Sequence, residues 1–120
     1  MPENPSGIDR FLQALVINAN RNGDGLLITV NVGGLLVSGR VIGEREYVDL
    51  YGRQGLGFTS DEDIASLESV FRKSADSDLY IHLGDARILA PTGQLLSVLG
   101  GVWRGKLSAV DGFFLGALGK

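Results

Sequence analysis

Ile8, Phe11, Leu12, Leu15, Val16 and Ala19 recur at the spacing of one helical stripe, and Asp9, Arg10, Gln13 and Asn18 fall off it. This predicts an amphipathic helix running to the cluster Asn20-Arg21-Asn22-Gly23-Asp24-Gly25, whose residues favour turns and left-handed backbone. Ser6 stands where an N-cap belongs, with Asp9 in the capping-box position, and residues 1–7 read as a flexible lead-in. The period then changes. Leu26 to Val32 and Leu35 to Ile42 are β-rich runs separated by Gly33-Gly34, a hairpin signal, with Thr29 and Asn31 alternating against Ile28, Val30 and Val32. Gly39 allows a bend or the close approach of another strand. A turn at Gly43-Glu44-Arg45 and the run Glu46 to Tyr51 extend the hairpin into a three-stranded meander.

Residues 52–60 are glycine-rich and read as irregular. Ser60 opens a second helix, with Asp61, Glu62 and Asp63 in its first turn and Arg72-Lys73 in its last, charges that suit the helix dipole at both ends. Ile64, Leu67, Val70 and Phe71 give that helix its apolar face. After a polar loop, Leu79 to Ala90 reads as a strand bent or bulged at Gly84-Asp85 and ended by Pro91-Thr92-Gly93. Leu95 to Gly101 is apolar but bracketed by glycines, and its pattern selects neither helix nor strand. In Val102 to Leu118, Trp103, Gly105 and Leu107 alternate with Arg104 and Lys106, Asp111-Gly112 supplies a turn, and Phe113 to Leu118 leads back. This predicts a closing hairpin whose Trp103, Leu107, Phe113 and Leu115 complete the core. Gly39-Arg40-Val41 before Tyr47-Val48 repeats at the spacing of Gly105-Lys106-Leu107 before Phe113-Phe114, as two strongly twisted hairpins also would.

The whole is expected to be α+β: a small, strongly bent antiparallel sheet or partly open barrel of five to six strands, with an N-terminal helix and one inserted helix. A length of 120 residues suits one domain, residues 8–120, able to bury roughly two-thirds of its unfolded surface. With no cysteine, the chain has no disulfide, no thiolate metal site and no cysteine nucleophile. The first residues carry no signal-peptide pattern, and no apolar run nears the ~18 residues that span a bilayer. The expectation is a cytoplasmic protein without a membrane segment.

The net charge of −3, with the basic residues scattered, weighs against a phosphate-backbone binder. His82 is the single histidine; within a strand pattern it reads as structural, and alone it cannot build two-histidine metal spacings. Asn20 to Gly25 mimics half a calcium loop, but the twelfth position is Asn31 rather than a bidentate Glu. Gly52-Arg53-Gln54-Gly55-Leu56-Gly57 precedes a helix, yet Asp61, Glu62 and Asp63 would repel phosphate there. Neither a nucleophile elbow nor a Walker A loop occurs. The expectation is a non-enzymatic protein with no catalytic residue, metal or cofactor.

Two resemblances add to this reading. The glycine-rich strands, the leading helix and Arg104-Gly105 give an outline similar to Sm-like small barrels, which assemble into RNA-binding rings. Tyr80-Ile81-His82-Leu83 and, above all, the block Trp103-Arg104-Gly105-Lys106-Leu107-Ser108-Ala109-Val110-Asp111-Gly112-Phe113-Phe114-Leu115-Gly116 resemble the gas vesicle accessory protein GvpU family. Ile28 to Val32, Gly34, Val37-Ser38-Gly39 and Glu46-Tyr47 extend the likeness over most of residues 8–118. Against that family's pattern, the chain stops at Lys120 where a longer polar tail is expected, and residues 94–101 are more apolar.

The second resemblance implies a cytosolic protein that binds gas vesicle shell or other accessory proteins, aids vesicle assembly or organisation, and acts at the vesicle. A homo-oligomer is one form this could take. Arg104, Lys106, Leu95, Leu96, Val98 and Leu99 are the candidate contact residues. Trp103, Gly105, Asp111, Gly112, Phe113 and Phe114 are expected to be structural parts of the motif. Arg104 stands out, because a core-facing hairpin has little structural use for it. The alternative is an Sm-like, ring-forming nucleic-acid module, for which salt-sensitive RNA affinity is the discriminating property.

Overall fold

The first helix, α1 (Arg10–Asn22), buries Leu12, Val16 and Ala19 from the predicted stripe, and Phe11 is exposed. In the computed structural model, residues 7–23, 25–72, 77–96 and 98–117 are described, without the side chains of Arg72, Ser77 and Leu99. Ser6 lies outside these residues, as does the lead-in apart from Gly7. The observed cap is Asp9, whose carboxylate accepts from the Leu12 N–H at 2.9 Å. A left-handed Gly23 ends the helix, its N–H donating to the Ala19 carbonyl.

β1 (Leu27–Val32) and β2 (Leu35–Ile42) form the expected hairpin, with Val32 opposite Leu35 across Gly33-Gly34. Val30 and Ile28 face the core beside Val37. Thr29 and Ser38, opposite each other on the other face, are also buried. The Thr29 hydroxyl donates to the Gly116 carbonyl at 2.9 Å, so its bond to Ser38 at 3.0 Å must be donated by Ser38.

The expected third meander strand is a helix instead. α2 (Glu44–Leu50) continues as a π-helical turn over Tyr51–Gly55. The short run admitted both periods. Tyr47, Val48, Leu50 and Tyr51 also lie at i, i+1, i+3 and i+4, and they pack on Ile42 and Val102 in a second core cluster. Glu44 and Glu46 occupy the first turn, where the helix dipole favours them. Arg53 donates to Asp49 at 2.8 Å and Asp61 at 2.7 Å, so residues 51–55 are pinned rather than irregular. α3 (Asp61–Arg72) follows as predicted, with the Ser60 hydroxyl accepting from the Asp63 N–H at 3.1 Å. Lys73 lies outside the described residues.

β3 (Tyr80–Leu89) is the longest strand and pairs with β2 along nearly its whole length. The predicted bend occurs where the register slips between Ser38 and Arg40, with Asp85 at φ +50°. Opposite the slip, a Cβ on Gly39 would sit 2.7 Å from the Gly84 carbonyl oxygen and 3.4 Å from the Ala86 Cα. β4 (Leu95–Leu96) and β5 (Val102–Lys106) share the other side of β3, against Ile88-Leu89 and Tyr80–Gly84 respectively.

The closing hairpin does not form. β5 pairs with β3, and β6 (Gly112–Leu115) pairs with β1 on the far side of the sheet. Leu107–Ala109 makes a 3-10 turn instead, and Asp111 bonds outward, its N–H to the Asn31 carbonyl at 2.8 Å and its carboxylate from the Gly33 N–H at 3.0 Å. Leu115 is consequently exposed rather than in the core, and Leu107 is buried. The faint repeat also has no structural counterpart, since Tyr47-Val48 is helical and Phe113-Phe114 extended.

The sheet is antiparallel and six-stranded, in the order β4-β3-β2-β1-β6 with β5 also on β3, and it is not closed into a barrel. Flat, its outer strands β5 and β6 would lie about 19 Å apart at ~4.8 Å per step. The link from Lys106 to Gly112, shortened by a 3-10 turn rising about 2.0 Å per residue, bridges them only because the sheet curls.

Gly39→Ala is expected to cost about 1–3 kcal/mol in urea unfolding, because its Cβ meets backbone that cannot yield without losing the bulge. Gly112→Ala, where an added Cβ meets nothing within 4 Å, is the matched control and should be close to neutral. Equal losses at both positions would contradict this account of the bulge.

Candidate functional site

Alternation along β3 and β5 sends Ile81, Leu83, Trp103 and Leu107 to the main core, with Tyr80, His82, Val102 and Arg104 on the opposite face. His82 stands directly across from Arg104 in the ladder and is 0% exposed. The Arg104 Nε–H donates to His82 Nε2 at 3.2 Å. An arginine carries only donors, so this bond fixes the imidazole as neutral, with its proton on Nδ1. The Arg104 guanidinium lies 3.7 Å from the Tyr80 ring centre and 5.1 Å from that of Phe71 on α3. Tyr47 of α2 closes the cluster, its ring 4.6 Å from His82, stacked on Tyr51 at 5.7 Å and edge-on to Phe71 at 5.9 Å.

The Arg104 cation thus joins β5 to β3 and α3, and α2 enters the cluster through Tyr47 against His82 and Phe71. Each cation–π contact contributes about 0.5–2 kcal/mol, more as it is desolvated. The expectation that Arg104 lacks a structural use is overturned by this arrangement. Burial, then the neighbouring Arg104 charge, lowers the His82 pKa from 6.5 to about 3. A ring with that affinity, its Nε2 lone pair already engaged, is a poor proton acceptor near neutral pH. Its Nδ1–H finds no hydrogen-bond partner among the described residues, a cost of about 1–3 kcal/mol that the packing sustains. Burial, with Tyr51 alongside, also pushes the Tyr47 phenol up, and Arg104 partly offsets this.

The other candidate contact residues do not gather here. Lys106 is exposed at the end of β5. Leu95 and Leu96 are 62% and 38% exposed on β4, paired with Leu89 and Ile88, roughly 20 Å along β3 from His82. Val98 is half-buried against the main core, and the Leu99 side chain lies outside the described residues. Among the motif residues, the Trp103 ring folds over Gly105 so closely that a Cβ there would collide with it. Phe113 stacks on Phe11 at 6.1 Å, Gly112 pairs with Asn31, and Phe114 is 51% exposed.

Reading by sequence missed Tyr47, Phe71 and Tyr80 as partners of Arg104. The available signal was the alternation in β5, which puts Arg104 on the face opposite Trp103. It also missed the exposed Leu26, Leu27, Phe114 and Leu115 around β6. A groove of about 640 Å³ lies between the end of α1 and α2, lined in part by Arg21, Arg45, Glu46, Asp49 and Glu68. Its charges are mixed, and Arg45 and Glu68 approach at 3.5 Å. Among the described residues no group of three or more His, Asp or Glu is placed to hold a metal ion, and no helix is long and apolar enough to cross a membrane.

Fold and cluster together define a small α+β protein with an open, curled antiparallel sheet, in which a buried histidine and a half-buried arginine tie an outer strand to two helices. The family model described as gas vesicle protein GvpU-like matches residues 9–118, and the chain belongs to that family of gas vesicle proteins. Among curated proteins no relative matches.

The single histidine makes its charge state directly measurable. Its folded pKa is depressed, so its contribution to stability is complete above the unfolded value of 6.5 and is lost as pH falls toward about 3. By pH 5 the loss is about 2 kcal/mol relative to neutral pH, at 1.36 kcal/mol per unit. The His82 ring resonances should not shift between pH 8 and pH 5. A titration centred near 6.5 in the folded protein would show that the ring is neither buried nor neutralised as described.

Proposed function

We propose that this chain is a non-enzymatic gas vesicle accessory protein that binds shell or other accessory proteins and aids the assembly or organisation of vesicles in the cytoplasm. The family supports the setting. The observation that carries the binding role is the exposure of Leu95 and Leu96 on a two-residue strand beside an open sheet edge, where apolar side chains and unpaired backbone invite a partner. Lys106, also exposed, sits at the opposite end of β3 across from Tyr80, and Val98 packs against the main core, so neither adds to this patch.

The nucleic-acid reading is the weaker one. The Arg104 guanidinium, its natural phosphate contact, is engaged by His82, Tyr80 and Phe71, and the chain is acidic overall. Arg104 thus enters the proposal as the residue that fixes β5, and the leucines are the contact.

Vesicles float, so binding is read by co-flotation of purified protein with intact vesicles. The wild-type chain should rise with them, and a Leu95→Asp/Leu96→Asp variant should lose binding about 10-fold or more, since each buried leucine contributes about 1.5–3 kcal/mol. Deletion in the native host should change vesicle number, shape or clustering under the microscope. A protein that neither floats with vesicles nor alters them when deleted is not an accessory protein of this kind.

A further inference from the structure

The edge formed by β6 matches a second copy of itself. In the β1 ladder, Leu26 bonds to Val41 across the β2 side, and Leu27 bonds to Gly116 across the β6 side. Antiparallel strands alternate hydrogen-bonded and non-hydrogen-bonded pairs, so Gly112, Phe114 and Gly116 turn their N–H and C=O groups toward β1. Phe113 and Leu115 turn theirs outward, and no strand pairs with that side among the described residues. Nothing guards this edge: Gly112-Phe113-Phe114-Leu115-Gly116 contains no charge and no proline, and Phe114 and Leu115 are 51% and 52% exposed.

We propose that two copies of this chain associate through antiparallel β6–β6 pairing about a two-fold axis at Phe114. In that register Phe113 of each copy exchanges both backbone bonds with Leu115 of the other, satisfying four donors and four acceptors that otherwise face water. Phe114 meets its own symmetry mate in the close, non-hydrogen-bonded position between them, where side chains pack tightest. The flanks fit as well, with Gly112 opposite Gly116 and Asp111 opposite Ala117, so no like charges meet although each chain carries −3. β5 fits the β6 edge less well, because it would bring Lys106 and a committed Arg104 against an apolar strand. The interface is isologous and joins two six-stranded sheets into one. It is smaller than the ~800 Å² per partner of a stable complex, so the dimer forms at micromolar concentration or above. This inference stands apart from vesicle binding, which is assigned to β4.

The chain has no cysteine, so one introduced thiol reports on one position. Phe114→Cys places the paired Cα atoms about 4.5 Å apart, within disulfide reach, and Leu115→Cys places them about 8 Å apart, beyond it. Under mild oxidation at high protein concentration, Phe114→Cys should run mostly as a covalent dimer on a non-reducing gel, at least 10-fold above Leu115→Cys. Leu115→Pro removes one outward N–H that the fold itself does not use. Light scattering over a concentration series should then show a wild-type monomer–dimer equilibrium, and a Leu115→Pro monomer with unchanged circular dichroism. Equal cross-linking of the two cysteine variants, a wild-type monomer at all concentrations, or dimerisation of Leu115→Pro equal to wild type would each overturn the proposal. So would a ring or higher assembly without the Phe114→Cys cross-link.

Discussion

The first half of β3, Ile81 to Gly84, is buried on both of its faces, and that constraint organises the molecule. On one face Ile81 and Leu83 enter the main core under α1; on the other, His82 enters the second cluster under α2 and α3. That stretch has no solvent-facing position for a polar side chain, whereas Asp85 and Arg87 beyond it are exposed, so His82 must be paired or neutralised. His82 meets this demand by giving up its charge and accepting from Arg104. The guanidinium lies over the Tyr80 ring, whose negative face attracts the cation. The polar pair thereby sets the register of β5 on β3, and β5 in turn sets where the 3-10 turn delivers Asp111 and β6.

The same logic separates scaffold from surface. The most chemically distinctive residues, the histidine, the arginine paired with it and the tryptophan on the other face, are absorbed in holding strands and helices together. What the fold leaves to solvent is plainer: leucines on β4, and a phenylalanine and a leucine on β6. Apolar patches and open edges of this kind are the surfaces on which the proposed binding rests. The sheet is not closed into the barrel that the Sm-like resemblance implied, and an outline alone carries no activity with it.

Elements with one strong period were legible in the sequence. The α1 stripe, the Gly33-Gly34 hairpin, α3 and the bulge near Gly84-Asp85 all follow from side-chain spacing and glycine chemistry that act locally. Two failures have one cause, which is that local pattern does not name a partner. Glu44 to Tyr51 satisfied helix and strand spacing alike, and packing of Tyr47 and Val48 on Ile42 and Val102 decided for helix. Val102 to Leu115 was readable as two strands around a turn, but Asp111 found Asn31 and Gly33, so the strands went to opposite sides of the sheet. The Arg104 cluster was illegible for the same reason, since its aromatic partners come from positions 47, 71 and 80, brought together only by the fold.

The central claim is that this protein works through its strand edges, and that the arginine–histidine cluster is the frame that presents them. Amide hydrogen exchange on the wild-type protein, with and without intact gas vesicles, tests it most directly. The account predicts that vesicles add protection at Leu95 and Leu96, with Ile81, His82, Leu83 and Arg104 already protected and unchanged. New protection confined to the β3–β5 ladder or to α2, with β4 unaffected, would contradict it.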